Sequence, residues 1–385
     1  MPLPDRAGER PRATLGELAT VFLKLGTVAF GGPAAHVAMM RDEVVRRRGW
    51  VEDGEFLAWL GATNLIPGPN STELAIHVGR DQRGWRGLLV AGACFILPAA
   101  LLVTAAAWAY VRFGTLPAAG GILYGVKPVV IAVVVQALWS LGRTALGSRW
   151  LLLVAAASLA AVAVGLDELL VLAGAGIVCA LRHVWRAEGS AGRLRAFALP
   201  LASALAGDAA APGTVGLWAL FGVFAKVGAV LFGSGYVLLA FLRADLVDRL
   251  HWITERQLLD AVAVGQVTPG PVFTTATFVG YLVARGPGAA VATVGIFLPA
   301  FVFVALSGWL LPRLRRSPLA GAVLDGVNVA SLALMAGVTA QLARAALVDA
   351  ATVALALASA ALLIRFRINS AWLILGGAVV GLLVR

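Results

Sequence analysis

Two segments of this sequence gather the groups that could hold an anion. The first reads Asn64-Leu65-Ile66-Pro67-Gly68-Pro69-Asn70-Ser71-Thr72-Glu73, and the second Gln266-Val267-Thr268-Pro269-Gly270-Pro271-Val272-Phe273-Thr274-Thr275. In each, Pro-Gly-Pro ends one helix and lets another begin, and a helix start offers unpaired N–H groups at the positive end of its dipole. Asn64, Asn70, Ser71 and Thr72 add side-chain donors to the first segment, and Gln266, Thr274 and Thr275 to the second. Lys24 and Lys226 lie inside apolar stretches, where a charge is costly and tends to line a cavity, so they could supply positive charge. Several N–H and hydroxyl donors with one or two cations match the needs of a tetrahedral dianion. Gly31-Gly32-Pro33 makes a further break, matched by Gly233-Ser234-Gly235. Glycines there permit close backbone approach, and Pro33 suits the first turn of a new helix. His36 follows that break, while Glu73 and His77, one turn apart, are the candidates for carrying a coupled proton. Each feature has a plainer reading as well: glycine pairs serve helix packing in membranes, Pro-Gly-Pro can be a kink, and single histidines are commonly structural.

Other chemistries find no footing. The sequence has no P-loop, no His-Glu-x-x-His and no Gly-x-Ser-x-Gly. Cys94 and Cys179 sit in separate apolar runs without metal-ligand or disulfide spacing. The expectation is a protein that is not an enzyme and needs no metal or cofactor.

The elements that must position these residues follow from composition. Of 385 residues, 60% are apolar and 13% charged, with a mean hydropathy of +0.88; an ordinary soluble domain has roughly 45–50% apolar residues even with glycine included. So few charges cannot cover a soluble globule, and a disordered chain needs the opposite balance. The class is an all-α polytopic membrane protein, and at about 20 residues per span the length allows on the order of ten to twelve spans. The formal charge of +11 is read as the Lys/Arg loop bias that orients membrane helices, not as affinity for nucleic acid.

The chain is a duplication. A shift of 202 places Phe22, Lys24, Gly26, Phe30 and Gly31 on Phe224, Lys226, Gly228, Phe232 and Gly233, and each Pro-Gly-Pro on the other. Between residues 22 and 72 it yields 16 identities in 51 positions, and a shift of 201 continues the register through Leu97-Pro98-Ala99 on Leu298-Pro299-Ala300. The organisation is therefore a polar tail at 1–14, a first repeat at 15–185, a cytoplasmic linker at 186–216 and a second repeat at 217–385. Loop charges reverse between the copies. Arg41 to Arg48 and Arg80 to Arg86 mark cytoplasmic loops in the first, whereas the turn at Asp167-Glu168 is matched by Arg365-Phe366-Arg367 in the second. Reversal means inverted-topology repeats, the plan of many secondary transporters, with a site at the repeat interface. The pieces 54–66 and 70–79 are each too short to span and form a broken or re-entrant pair, leaving about five full spans per repeat. Six spans per half, with an extra crossing near 196–211, is the alternative.

At Phe30-Gly31-Gly32-Pro33-Ala34-Ala35-His36, Trp50, Asn64-x-x-Pro67-Gly68-Pro69, and Gly84-x-x-Gly87 leading to Phe95-x-x-Pro98, the sequence resembles the chromate ion transporter family in its long-chain, two-domain form. The resemblance covers nearly the whole chain. It implies export of chromate from a bacterial cytoplasm, with sulfate as the related oxyanion, driven by the membrane potential or the proton gradient. Uptake or exchange of sulfate or another inorganic anion is the alternative on the same fold. The expected partners are the anion, the lipid bilayer of the cytoplasmic (inner) membrane and a second copy of the chain in a homodimer. The second copy departs from the pattern at Gly235 and Leu238, where the proline and histidine are missing.

Overall fold

A computed structural model describes residues 12–30, 32–63, 65–114, 116–186, 216–231, 237–315, 317–366 and 368–384. The regular elements among them are all helical. The first repeat contains α1 (Leu15–Val28), α2 (Gly32–Arg41, continued by a π turn Asp42–Arg47), α3 (Asp53–Thr63), α4 (Asn70–Phe113), α5 (Pro117–Ala145), α6 (Arg149–Ala163) and α7 (Glu168–Arg186). The second contains α8 (Leu217–Val230), α9 (Leu238–Leu242, continued by a π turn Arg243–Arg249), α10 (Glu255–Val267), α11 (Thr275–Arg315), α12 (Pro318–Ala346), α13 (Ala350–Phe366) and α14 (Ser370–Val384). Each helix of the first copy has its counterpart seven places later. Local signals set the starts. At α1, Thr14 and Glu17 exchange side-chain and backbone hydrogen bonds, and Thr254 and Gln257 do the same at α10, a capping box that satisfies N–H groups the helix leaves open.

The pieces flanking the first Pro-Gly-Pro are α3, which ends at Thr63, and α4, which begins at Asn70. Neither long helix is straight: α4 leaves helical geometry at Arg83 and Gly84, and α11 at Ala284 and Arg285, the equivalent positions. At these turns the chain folds back on itself. A Cβ on Gly79 or Gly87 would collide with the facing backbone, as would one on Gly280 or Gly288. Such small residues let backbones touch where lipid removes any hydrophobic force between helices.

Gln82 shows how the first copy is arranged. Its Oε1 accepts from the Ala13 N–H at 3.0 Å and its Nε2 donates to the Trp50 carbonyl at 3.0 Å. The start of α1, the end of the turn after α2 and the fold-back of α4 therefore meet at one place, so the chain enters along α1 and returns along α2. This differs from the expectation of a full span at the first helix of each copy. α1 and α8 have 14 residues each, a rise of roughly 21 Å against a hydrocarbon core of about 30 Å. The glycine-containing break after α1 turns the chain too early. Among the described residues, five helices are long and apolar enough to cross a membrane; the additional crossing weighed near 196–211 lies outside the described residues, as do 1–11 of the tail and 187–215 of the linker.

The repeats interlock. α5 packs on α13 and α14 of the second copy, and α12 on α6 and α7 of the first. Gly125 lies against Gly377, and Gly326 against Ala175 and Gly176, the same contact made twice. One large apolar cluster therefore runs through both copies, while Leu101, Trp139, Leu153 and Trp372 present apolar surface outward, as a lipid-facing perimeter requires.

Candidate functional site

Two reciprocal hydrogen bonds define the centre. The Gly68 N–H donates to the Leu231 carbonyl at 2.8 Å, and the Gly270 N–H to the Ala29 carbonyl at 3.0 Å. Ala29 and Leu231 follow the last residues of α1 and α8, where a helix leaves carbonyls unpaired. Each Pro-Gly-Pro loop thus caps the short first helix of the other copy. The geometry depends on glycine: φ is +140° at Gly68 and +92° at Gly270, and a Cβ on Gly68 would strike the Glu73 carboxyl.

Beside these loops is a cavity of 540 Å³ whose walls include Pro33, Asn70, Ser71, Pro271, Asp325 and Asn328. The size falls in the range of small-molecule sites. Asn70 and Ser71 form the first turn of α4, whose N-cap is Pro69 and makes no side-chain cap, so the positive end of the helix dipole lies at the cavity, while the Thr72 and Glu73 N–H groups donate to the Pro69 carbonyl at 2.8 and 3.0 Å. The first copy supplies more. His36 is buried; its Nε2 donates to the Ala29 carbonyl at 3.0 Å, its Nδ1 lies 3.3 Å from Ser71 Oγ, and its ring meets Phe95 edge-on. Thr72 is buried with a hydroxyl that has no partner among the described residues, and so is the Gln266 amide nitrogen.

The second copy is not equivalent. Residues Val272–Thr274 form a 3-10 turn before α11, and the hydroxyls of Thr274 and Thr275 both donate to the turn's own carbonyls, of Pro271 and Val272, at 2.8 Å. The structure brings both loops to one cavity, but the polar side chains there, Asn70 and Ser71, belong to α4, where the second copy has Val272 and Phe273 at the matching positions. Pro67 and Pro269 lie in the loops that precede these starts, and Gly32 opens α2 with a φ of 79°. Gly31, Asn64, Gly233 and Ser234 lie outside the described residues. Glu73 is fully buried with no partner for either carboxyl oxygen among the described residues, and His77 stacks on Trp59 at 6.2 Å.

Lys24 and Lys226 do not line the cavity. Lys24 Nζ lies 3.5 Å from Glu43, and Lys226 Nζ lies 2.6 Å from Asp245, which also pairs with Arg249 as Glu43 does with Arg47. The same shift of 202 relates all three members of each set. Their charge is engaged by carboxylates on the π turns, and no Lys or Arg is among the described residues that line the cavity. The two pairs differ in exposure, 54% for the Lys24 side chain and 26% for that of Lys226. Lys226→Met is therefore expected to destabilise the protein by about 1–3 kcal/mol, as loss of a charged hydrogen bond does, and Lys24→Met by under ~1 kcal/mol, the range of exposed pairs. Thermal unfolding in detergent measures both.

Sequence reasoning passed over Asp325 and Asn328, which lie one turn apart on α12 and face the cavity. A signal was present: an acid within the apolar stretch 319–343, beside the asparagine that matches Lys127. Lys127 itself lies in the apolar stretch of α5 and pairs with the fully buried Asp260.

Comparison with known proteins agrees over most of the chain. The model of the family described as chromate transporter matches residues 16–180 and again 218–382. The chain is 36% identical over 382 residues to the chromate transport protein of Cupriavidus metallidurans, covering 97% of this chain and 94% of that one. It is 34% identical to the probable chromate transport protein of Synechococcus elongatus, over 89% of this chain and 88% of the relative. With the chromate transport protein of Pseudomonas aeruginosa the identity is 35%, over 87% and 82%. No solved structure matches it significantly.

Proposed function

The chain belongs to the chromate transporter family, and from that premise we propose that it exports chromate, a sulfate-like oxyanion, across the bacterial cytoplasmic membrane as a secondary carrier. Family and apolar helices make it a multi-pass membrane transporter and not an enzyme. The observation that carries the substrate class is the cavity at the uncapped start of α4, walled by both Pro-Gly-Pro loops. Asn70 and Ser71 hold the anion there. Opposite insertion of the repeats 15–185 and 217–385 is supported by the reversed loop arginines and by the reciprocal bonds of Gly68 and Gly270. A second copy of the chain is the proposed homodimer partner.

His36 ties binding to a proton. A carbonyl only accepts, so the ring nitrogen facing Ala29 carries hydrogen. In the neutral ring, Nδ1 then takes the single proton of Ser71. When the ring is protonated, Nδ1 donates instead and the Ser71 hydroxyl is released to donate to the anion. Asp325, in the same cavity, repels a dianion when ionised and favours proton occupancy for the same reason. A dianion accompanied by one proton carries a net charge of −1, and the interior-negative potential drives it outward at ~2.3 kcal/mol per 100 mV. Glu73 and His77 are the further candidates for carrying a proton.

Membrane vesicles test this. Inside-out vesicles given a lumen-positive potassium diffusion potential are expected to accumulate chromate, with excess sulfate slowing the flux and collapse of the potential stopping it. Accumulation confined to right-side-out vesicles overturns export in favour of uptake.

A further inference from the structure

α3 and α10 are counterparts in sequence yet stand in different surroundings. α10 packs against α4, α5, α11, α12 and α14, whereas the main partner of α3 is α4. Leu57 and Leu259 occupy the same register on the two helices; Leu57 is 47% exposed and Leu259 is 2% exposed. One position later, Ala58 is exposed and Asp260 fully buried. Asp260 receives Lys127 Nζ of α5 at 2.8 Å on one oxygen and the Tyr110 hydroxyl of α4 at 2.8 Å on the other. Tyr110 in turn packs edge-on against Phe278 of α11 at 5.3 Å. Three helices from both copies, α4, α5 and α11, are thereby fastened around α10, the helix that leads into the second Pro-Gly-Pro loop. No equivalent can form in the other copy, because the residues matching Asp260 and Lys127 are Ala58 and Asn328.

The cluster lies away from the cavity mouth. The cavity is lined on α5 by Leu141, Thr144 and Ala145, whereas Lys127 precedes Leu141 by 14 positions, roughly 21 Å along the helix axis. The fold is thus open beside the end of α5 and clasped toward its beginning. We propose that Lys127, Asp260 and Tyr110 are the gate that closes the carrier on the face away from the cavity, and that this gate opens each time the anion leaves on that side. An ion pair suits the task because its partners must stay together while closed: removing one leaves a buried charge uncompensated, so the closed state has one defined register.

The inference rests on the transport reading, and its test separates the two. In protein lacking Cys94 and Cys179, a Lys127→Cys, Asp260→Cys pair is joined by a short bis-methanethiosulfonate linker. Chromate flux is expected to fall at least tenfold on linking and to return on thiol reduction, while equilibrium chromate binding from the cavity side changes less than twofold. Flux equal before and after linking overturns the gate. Because the unlinked cysteine pair lacks the charges and its flux could already be low, the charge exchange Lys127→Asp with Asp260→Lys provides a second measurement. It is expected to restore flux that Lys127→Met alone reduces at least tenfold, and flux in Lys127→Met equal to that of the unmodified protein also overturns the gate. Absence of chromate flux in the unmodified protein contradicts the transport reading itself.

Discussion

Chromate flux through a Ser71→Ala protein is expected to fall by about 10- to 100-fold. Ser71 stands at the open first turn of α4, lines the cavity and lies 3.3 Å from His36 Nδ1. A hydrogen bond to a charged group contributes about 1.5–3 kcal/mol, and each 1.4 kcal/mol is tenfold in affinity. Truncation also leaves the buried His36 Nδ1 without its partner, so stability must be separated from function. Ser71→Thr keeps the hydroxyl and is expected to retain most of the flux if it folds. His36→Gln still reaches both groups by size but does not titrate, so its anion binding is expected to lose the proton uptake that accompanies binding in the unmodified protein, read by calorimetry in buffers of differing ionisation heat. Unchanged proton uptake in His36→Gln assigns the coupling to Glu73, His77 or Asp325.

Gly270→Ala is expected to destabilise the protein by about 2–5 kcal/mol. With φ at +92°, a Cβ is strained by about 1–2 kcal/mol, and it would sit 2.8 Å from Ala99 Cβ and 3.0 Å from the Gly26 carbonyl, an overpacking that costs about 1–3 kcal/mol. The loop must then shift and loosen the Gly270 to Ala29 hydrogen bond on which both copies depend. Gly222→Ala in α8 is the control: a Cβ there meets nothing within 4 Å, and alanine in a helix interior gains about 1 kcal/mol over glycine. Thermal unfolding of the two variants in one detergent should move in opposite directions.

How much of this was legible in the sequence depends on which physics each feature obeys. Composition and duplication are properties of the chain alone, and the Pro-Gly-Pro breaks appear as the ends and starts of α3, α4, α10 and α11 because proline leaves no continuous helix there. The pairing of Gly68 with Leu231 and of Gly270 with Ala29 needs the two copies in space, which no offset provides. Lys24 and Lys226 show the limit most clearly. Their matching positions were plain, but their partners, Glu43 and Asp245, were matching positions too, and a cation's place in an apolar stretch says nothing about whether a carboxylate is waiting for it. The difference between Thr274, whose hydroxyl turns back on its own backbone, and Thr72, whose hydroxyl has no partner among the described residues, is a matter of rotamer and turn type. Lys127 lies in an apolar stretch of the first copy, and its partner Asp260 lies on the other copy, 133 positions away.

The most direct measurement is an anomalous difference map at the chromium edge from crystals of the protein soaked in chromate. One peak is expected in the cavity between the two Pro-Gly-Pro loops, within hydrogen-bond distance of Ser71 Oγ at the first turn of α4, and it is expected to be lost in Ser71→Ala crystals. A peak beside Lys24 or Lys226, or none in the cavity at saturating chromate, would contradict that placement.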